Sequence, residues 1–455
     1  MNEDDIRRKF VINYRNEEYL KSMDDKLKPL VSIIQKNSDW LEILKKDPYN
    51  LRIRENPKRS NQFIFSYDMI KSDMSLPEVQ VSRGLVLNVS DIALFDRSKN
   101  YREDEVEYSR IITVVIRGFD KFFNHGESNA AIIDWNGPVF VFEKMDGSLI
   151  KYTSLDNVDH NTGMRILKPL WTTNNSFDAS GELPGDIICE YETFQDLINA
   201  ATSKWDKEIL KIILNFGNRL TFLFELVSPF NRIVVPYKDV ELYWLSCRCK
   251  LTGKEFLPED LLNEYPLDID TSAIKLLLSA IKQPKRYRLD HYQMDEIKDL
   301  VSTMTADNEG VVIVDQHFNR VKVKSEAYLA IHRLKDGNGQ LSMEHLLKCI
   351  QNETVDDIMG LFPEYFNKIQ EVVNLYKNVD NRINEVFELF NEYVKSIDAS
   401  EDEKIKKKNF AMKFKDNVFS RILFDLYKFG PEKFQELKAD FLKNVDYERL
   451  NELSV

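Results

Sequence analysis

The segment Val139-Phe-Val-Phe-Glu-Lys-Met-Asp-Gly-Ser148 constrains this chain more than any other, because it leads one lysine from a hydrophobic strand directly into a turn. The apolar run predicts a buried strand, and Asp146-Gly147 predicts a hairpin turn. Lys144 lies between them, so we expect its amine at a sheet edge. A held, partly desolvated lysine is a candidate nucleophile. The alternative is that Asp-Gly only closes a hairpin and the Lys144 side chain extends to water.

The composition excludes several classes of protein. The chain has 455 residues, of which 43% are hydrophobic, enough for two or three domains. It has no apolar run of about 18 residues and no secretory signal pattern, so we expect no membrane partner and a cytoplasmic location, the host cytoplasm for a viral protein. Four scattered cysteines do not suit a disulfide framework. A net charge of −12 argues against an extended basic surface, so any basic site has to be built by folding.

Local patterns divide the chain into regions. Residues 1–60 are expected to be mainly helical, from the spacing of their apolar residues. Across residues 63–324, short strand-like runs are separated by helical patterns near 193–216 and 257–301. Such an order predicts an α+β domain with antiparallel sheets.

The last quarter of the chain follows a different pattern. Lys335-Asp-Gly-Asn-Gly339 is a cluster of turn residues and the expected domain boundary. After it, apolar residues recur at steps of three and four through 365–397, which predicts a long amphipathic helix. We therefore expect one domain at 1–335 and an all-helical domain at 340–455.

A second informative segment is Val321-Lys-Val-Lys-Ser325, because residues two apart on a strand point to the same face. Lys322 and Lys324 are thereby directed together. Glu309 and Gly310 come at the start of the preceding strand, in what the sequence predicts to be a hairpin. One carboxylate and two ammonium groups are then expected at one sheet edge. The alternative is an exposed strand face without function.

This set of groups suits nucleotidyl transfer, in which a protein positions an α-phosphate, neutralises its charge and attacks it in line. Lys144 would be the attacking group. A lysine attacks only as the neutral amine, and burial beside other cations favours that form. The cations Lys322 and Lys324 would also stabilise the phosphates.

The order Lys-x-Asp-Gly, a Glu in an apolar strand, Glu-Gly and Lys-x-Lys resembles the motifs of covalent nucleotidyltransferases, the superfamily of ligases and capping enzymes. In detail the chain resembles the phage-type RNA ligase 1 family from about residue 60 to 335. The matching segments are Phe65-Ser-Tyr67, Ser82-Arg-Gly84, Lys121-Phe-Phe-Asn124, Glu143-Lys-Met-Asp-Gly-Ser-Leu149, Phe224-Glu-Leu-Val-Ser-Pro-Phe-Asn-Arg-Ile233 and Val321-Lys-Val-Lys-Ser-Glu-Ala-Tyr328. DNA ligases and capping enzymes usually have an arginine where this chain has Leu149. The resemblance implies an α+β nucleotidyltransferase domain, with an ATP-grasp-like antiparallel sheet, followed by an all-α C-terminal domain.

The resemblance also implies roles for individual residues. Lys144 would form the lysyl-adenylate. Arg83 and Lys121 would bind ATP phosphates, and the alternative for both is a surface charge beside a turn. Tyr67 would contact the nucleotide, unless it only packs in the core. Glu225 would accept hydrogen bonds from the ribose hydroxyls, with a salt bridge as the alternative.

The remaining roles concern phosphates and metal. Glu309 would help to place a magnesium ion or orient Lys144, and the alternative is a carboxylate at a turn. Lys322 and Lys324 would hold the phosphates of ATP and of the adenylated RNA end. Asp356 is a candidate metal ligand, with favourable charge at a helix start as the alternative.

The chain departs from the family pattern at one place. The family usually has a basic Lys-Gly-Ser patch after the nucleophile, but this chain reads Trp171-Thr-Thr-Asn-Asn-Ser-Phe177. Lys168 is the candidate substitute. The chain also lacks a P-loop motif, and His160-Asn-Thr162 is its one His-x-Thr. We therefore expect it to seal RNA ends and to rely on a separate kinase or phosphatase to heal them.

The implied activity is ATP-dependent RNA ligation with magnesium, in repair of RNA or of tRNA broken in its anticodon loop, by a monomer. Residues 340–455 are expected to select the RNA. One alternative is a capping-type guanylyltransferase that forms a Lys144-GMP adduct. Another is a tRNA-binding or RNA-end-binding protein without turnover, but the complete set of charged motif residues argues against it.

Overall fold

A computed structural model of the chain describes residues 21–94, 107–158, 165–183, 191–231, 235–262, 271–289, 293–305, 307–326, 328–329, 343–353, 355, 366–397 and 402–454. The chain divides into two compact units, Met1–His332 and Arg333–Val455. The expected boundary at residues 335–339 lies outside the described residues. In the part that is described, no helix combines the length and the apolar character needed to cross a membrane.

The strands of the first unit form three sheets within the described residues. They are β1 (Leu51–Asn56), β2 (Arg59–Tyr67), β3 (Leu85–Leu94), β4 (Glu107–Ile116), β5 (Phe123–Asn124), β6 (Val139–Glu143), β7 (Ser148–Val158), β8 (Arg165–Thr172), β9 (Leu220–Val227), β10 (Glu241–Cys249), β11 (Glu255–Phe256), β12 (Arg286–Tyr287), β13 (Gly310–Asp315) and β14 (Arg320–Lys324). The sheet orders are β1-β2-β3-β4, β11-β10-β9-β7-β8 and β12-β6-β13-β14-β5. Apart from a two-residue parallel contact of β14 with β5, the pairings are antiparallel. The expected α+β class with antiparallel sheets is confirmed.

Helices lie between the strands of the first unit. They are α1 (Lys28–Lys36), α2 (Trp40–Lys45), α3 (Pro77–Gln80), α4 (Phe194–Thr202), α5 (Lys207–Gly217), α6 (Thr271–Ala280) and α7 (Met294–Ser302), with a 3-10 turn at Pro258–Leu262. Phe222 and Phe224 of β9 are buried in one core with Ile198 of α4 and Ile209 of α5. Glu225 is the one residue of β9 that is not fully buried, so the strand presents a single carboxyl group to the site.

The expectation that residues 1–60 are mainly helical is wrong in its last part. Helices α1 and α2 are present, but β1 begins at Leu51 and pairs with β2. Leu51 and Ile53 are buried whereas Arg52 and Arg54 are exposed. This period of two is typical of a strand with one buried face, and the flanking charges hid it within a polar stretch.

The expected hairpin at Asp146-Gly147 is also wrong. Strand β6 pairs with β12 and β13, whereas β7 pairs with β8 and β9, so the chain passes from one sheet to another through these residues. The glycine is required for a different reason. A Cβ atom at Gly147 would lie 2.3 Å from the carbonyl oxygen of Leu226, so a side chain would collide with the backbone of β9. Lys144 therefore lies where two sheets meet.

The second hairpin is present as expected. Strand β13 pairs with β14, with Gly310 opposite Lys324. The backbone N–H of Lys144 donates to the carbonyl of Gly310 at 2.9 Å, and the N–H of Ser325 donates to the carbonyl of Glu309 at 2.9 Å. Backbone hydrogen bonds thereby hold the three motif segments side by side.

The second unit is helical throughout its described residues. Its helices are α8 (Met343–Gln351), α9 (Phe366–Ser396), α10 (Glu403–Phe414), α11 (Ser420–Phe429), α12 (Phe434–Asn444) and α13 (Tyr447–Ser454), with a 3-10 turn at Pro431–Lys433. Helix α9 is the expected long helix, and its buried residues include Ile369, Val379, Ile383 and Phe390. The neighbouring Phe387 stacks on Phe434 of α12, with ring centroids 3.7 Å apart. The predicted all-α C-terminal region is confirmed.

Candidate active site

Lys144 and Lys324 share one buried carboxylate. The Nζ atom of Lys144 lies 2.5 Å from Oε2 of Glu309, and Nζ of Lys324 lies 2.9 Å from Oε1 of the same side chain. The Glu309 side chain is 4% exposed and that of Lys144 is 20% exposed. A solvent path therefore remains to the amine, while the carboxylate that holds it is shielded from water.

Lys322 and Lys324 are not on an exposed strand face. Both are buried, and Val323 between them is more exposed than either lysine. Val321 packs in the core on the other side of β14. The period of two was predicted correctly, but both faces of the strand are covered. The lysine side chains are buried, so the alternative of an exposed strand face is wrong.

The segment after Lys144 is held by hydrogen bonds from outside it. Buried Asp146 accepts from the backbone N–H of Val235 at 2.8 Å and from the hydroxyl of Tyr328 at 3.0 Å. The backbone N–H of Asp146 donates to the hydroxyl of Tyr237 at 3.2 Å. In the sequence, Asp146 indicates only a turn. Its burial makes it a support for the position of Lys144, and Tyr237 and Tyr328 carried no sequence signal for this contact.

Glu225 faces the same region from β9. Burial raises the pKa of its carboxyl group to about 8, the charges of Lys144 and Arg83 act against this rise, and the charge of Glu309 adds to it. Within the described residues Glu225 has no ion pair within 4 Å, so the salt bridge considered as its alternative role is not found there. Near neutral pH the group is largely protonated, and it can then donate a hydrogen bond as well as accept one.

Arg83 and Lys322 approach the same aromatic ring, that of Phe122. The Arg83 guanidinium carbon lies 5.3 Å from the ring centroid and the Lys322 Nζ lies 6.0 Å from it. The Lys121 Nζ lies 5.6 Å from the centroid of Tyr67. Aromatic faces attract cations, so these rings fix the directions of the three basic side chains. No sequence pattern assigns Phe122 to the site.

The structure thus brings Lys144, Glu309 and Lys324 into contact and places Glu225 close enough to feel the charges of Lys144, Glu309 and Arg83. Arg83 and Lys322 meet at Phe122, Lys121 lies over Tyr67, and Lys168 is exposed on β8. Asp356 lies outside the described residues. Among the residues described, no group of three or more His, Cys, Asp or Glu side chains could hold a metal ion. Magnesium is usually held by one or two carboxylates together with phosphate and water oxygens. The single carboxylate of Glu309 fits that arrangement and does not fit a cage made by protein alone.

A cavity of about 750 Å³ in the first unit shares Lys121 and Phe122 with this site, but its lining does not include Lys144. Ion pairs occupy its charged walls. Arg248 contacts Asp24 and Asp120, and Arg320 and Glu255 bind each other. Its charges are therefore largely used within the protein, and we assign the chemistry to the site around Lys144.

A comparison with protein families decides which class of protein carries this site. A family model described as RNA ligase matches residues 92–328, more than half of the chain. The chain belongs to the RNA ligase family. The resemblance stated from the sequence is confirmed.

Individual relatives within the family come from viruses and phages. The chain is 22% identical over 367 residues to an RNA ligase of Rhodothermus phage RM378, covering 71% of this chain and 80% of the relative. It is 26% identical over 299 residues to RNA ligase 1 of Bacteriophage TS2126, covering 63% of this chain and 59% of that protein.

A third relative, from Autographa californica nuclear polyhedrosis virus, has a name that provisionally assigns it polynucleotide kinase and RNA ligase activities. It is 25% identical over 339 residues, which cover 72% of this chain and 41% of the relative. The chain thus spans less than half the length of this relative. Among solved structures, the chain is similar to two forms of an archaeal ATP-dependent RNA ligase. The alignment with form 1 covers 76% of this chain and 78% of that structure, at 15% identity and a TM-score of 0.39. The alignment with form 2 covers 78% of this chain and 82% of that structure, at 14% identity and a TM-score of 0.37.

Proposed function

We propose that the protein is an ATP-dependent RNA ligase that joins a 5′-phosphate to a 3′-hydroxyl through a lysyl-AMP intermediate on Lys144. The observation that carries this proposal is the contact of Lys144 and Lys324 with one buried carboxylate, Glu309, in a member of the RNA ligase family. A nucleophile, a proton acceptor and a phosphate-binding cation are then close enough to act on one phosphate.

In the first step, the Lys144 amine forms a bond to the α-phosphorus of ATP. The bond from that phosphorus to the bridging oxygen breaks, and pyrophosphate leaves. The amine gives up a proton in this step, and Glu309 is in hydrogen-bond contact to accept it. Lys324 binds the second oxygen of Glu309 and so keeps the carboxylate oriented toward the amine.

The other cations hold the nucleotide. Arg83 and Lys322 approach Phe122 together and would bind the phosphate groups, with Lys121 beside Tyr67 as a further phosphate contact. Magnesium, held through phosphate oxygens and water near Glu309, would offset charge on the triphosphate.

Glu225 would hold the ribose. Its pKa of about 8 leaves the carboxyl group protonated at neutral pH, so the group can both donate to and accept from neighbouring ribose hydroxyls. A strand residue next to β7 is suitable for this role, because the sheet fixes its position relative to the segment that carries Lys144.

Two further transfers complete the reaction. AMP moves from Lys144 to the 5′-phosphate of the RNA, which restores the free amine. The 3′-hydroxyl of the other end then attacks that 5′-phosphate, the phosphodiester bond forms and AMP leaves. Lys322 and Lys324 would hold the phosphates in both steps.

We propose a monomeric cytoplasmic enzyme that acts on broken RNA, including tRNA cut in the anticodon loop, after a separate kinase or phosphatase has prepared the ends.

The helical unit would select the RNA, and α10 is the element best suited to contact it. Residues 340–455 contain 17 basic and 22 acidic residues, yet the stretch 404–415 holds six lysines and no acidic residue. Phe410 and Phe414 are its buried members, and Lys404, Lys407 and Lys408 are exposed. Positive charge is therefore concentrated on one helix of an otherwise acidic unit, as expected for contacts with a phosphate backbone.

The test is a sealing assay with two RNA strands that present a 5′-phosphate and a 3′-hydroxyl, supplied with magnesium and either ATP or GTP. We expect joining with ATP and none with GTP. A covalent adduct with GTP would favour a capping-type guanylyltransferase. Tight binding of the ends without joining under either nucleotide would favour a binding protein. Lys275→Ala, an exposed lysine change on α6, is the matched control and should seal as the wild type does.

A further inference from the structure

Lys151 is a buried lysine that the proposed reaction does not use. It lies on β7, seven positions after Lys144, and is completely buried. Its Nζ atom donates to the carbonyl of Gly84 at 3.0 Å and to the side-chain oxygen of Asn174 at 3.2 Å. Both acceptors are neutral. Within the described residues it has no carboxylate within 4 Å, unlike the buried arginines Arg117 and Arg248, which pair with aspartates.

A buried lysine without a counter-ion is expensive to keep. Burial lowers the pKa of Lys151 well below its ordinary value, and the charge of Arg83 lowers it further. An apolar side chain of similar length would fill the same space without the cost of desolvating an amine. Stability alone therefore does not account for a lysine at this position, and its contacts suggest what it does.

The contacts of Lys151 are with the backbone next to Arg83. Gly84 has φ of +65°, and a Cβ atom there would lie 2.0 Å from Nζ of Lys151. A Cβ atom at Gly118 would lie 3.1 Å from Cδ of the same lysine and 3.4 Å from the carbonyl oxygen of Arg83. The lysine side chain thus fills the space beneath the Arg83–Gly84 backbone, and these two glycines leave room for it.

The same amine reaches the segment in which this chain departs from its family pattern. In the register of β7 with β8, Lys151 lies opposite Thr172, and its Nζ binds Asn174 two residues later. Lys168, the substitute considered from sequence, is exposed and lies four residues away along β8, roughly 13 Å at the rise of a strand. A lysine amine is therefore present at this segment, but it comes from the neighbouring strand.

We propose that Lys151 is a positioning residue for Arg83: by binding the Gly84 carbonyl and Asn174, it fixes the backbone that directs the Arg83 guanidinium to the ATP phosphates. This inference rests on the proposed function. It adds a residue that touches neither the nucleotide nor the reacting atoms.

The test is a double-mutant cycle on adenylation, with the KM for ATP and kcat measured separately for wild type, Lys151→Met, Arg83→Ala and the double variant. Leaving a buried hydrogen-bond acceptor without its donor typically changes an equilibrium constant by about 10-fold or more. We expect Lys151→Met to raise the KM for ATP by about 10-fold, with a smaller effect on kcat. In the Arg83→Ala background the same change should alter KM less than twofold, because the group that Lys151 positions is gone.

Lys250→Met is the matched control. Lys250 is a half-buried lysine, and its Nζ donates to the side chain of Thr153 on β7 at 3.0 Å rather than to Gly84 or Asn174. Its replacement should leave the KM for ATP unchanged. Where Lys151→Met does not fold, as judged by thermal unfolding, Lys151→Leu, which also lacks a donor, serves in the same cycle.

The outcomes separate this inference from the proposed function. Wild-type protein that does not react with ATP would overturn the proposed function. A reactive wild type with an unchanged KM in the Lys151 variant would overturn the inference alone. Equal effects of the Lys151 change with and without Arg83 would also overturn it, because they would mean that Lys151 does not act through Arg83.

Discussion

Replacing Glu225 by glutamine should stabilise the folded protein at alkaline pH and weaken its use of ATP. Burial on β9 raises the pKa of this carboxyl group from 4.5 to about 8. The unfolded chain therefore loses this proton near pH 4.5, whereas the folded chain keeps it until about pH 8. Between these values the folded state binds one proton more than the unfolded state, so the free energy of unfolding falls as pH rises.

The size of the effect follows from that interval. At about 1.4 kcal/mol for each pH unit, the step from 4.5 to about 8 corresponds to about 5 kcal/mol. Part of the Glu225 side chain remains accessible to solvent, which screens the charge, so we expect about 3 kcal/mol. Glutamine does not titrate, and the variant should not lose stability for this reason.

The assay is urea unfolding of wild type and Glu225→Gln at intervals from pH 4.5 to pH 9. The difference in unfolding free energy should change steadily in favour of glutamine as pH rises and become constant above about pH 8. Parallel curves for the two proteins over this range would refute the reasoning about burial. In the adenylation assay at pH 7, the variant should show a raised KM for ATP, since glutamine binds ribose hydroxyls in a different geometry.

Four further variants test other parts of the site and of the helical unit. Lys322→Ala and Lys324→Ala should each slow adenylation by about 10²-fold or more. Because both side chains are buried, each change should also lower the temperature of thermal unfolding. Wild-type rates would contradict the role of β14. Tyr328→Phe removes the hydroxyl that binds Asp146 and should lower kcat for adenylation. The free energy of unfolding, measured in urea, should fall by about 1 kcal/mol. An unchanged kcat would contradict a positioning role for that bond. The double change Lys407→Glu and Lys408→Glu on α10 should weaken RNA binding and leave adenylation unchanged. The salt dependence of RNA binding should fall by the equivalent of about two phosphate contacts. An unchanged salt dependence would exclude α10 as the RNA contact.

The α10 charge reversal has a matched control in the same unit. Lys395→Glu with Lys443→Glu makes the same change in net charge at exposed positions on α9 and α12. If this control weakens RNA binding as much as the α10 variant does, net charge alone is responsible and α10 has no special role.

The sequence predicted the strand hairpin of β13 and β14 and the proximity of Lys144, Glu309 and Lys324, because these depend on local periodicity and on motif order. It could not predict that Asp146-Gly147 joins two sheets. A tight turn and a close approach of two backbones both favour glycine, and only the position of Leu226 distinguishes them.

Contacts between segments distant along the chain could not be predicted from the sequence either. The bond from Tyr328 to Asp146 joins residues 182 positions apart, and no local pattern indicates which tyrosine would reach an aspartate. Phe122 looked like an ordinary apolar residue until Arg83 and Lys322 were found beside its ring. Lysine is a residue type usually found at the surface, but Lys151 is buried, because two glycines leave space for its side chain.

The central claim is that Lys144 forms the covalent adduct, and labelling with ATP that carries the label on its α-phosphate tests it most directly. Wild-type protein with magnesium should acquire a covalent label located at Lys144 by peptide mapping. Lys144→Arg retains a positive charge for Glu309 but cannot attack at neutral pH, so it should remain folded and unlabelled. Label at Lys144 that is absent from the folded arginine variant would support the account, whereas label retained in that variant, or located on another residue, would contradict it.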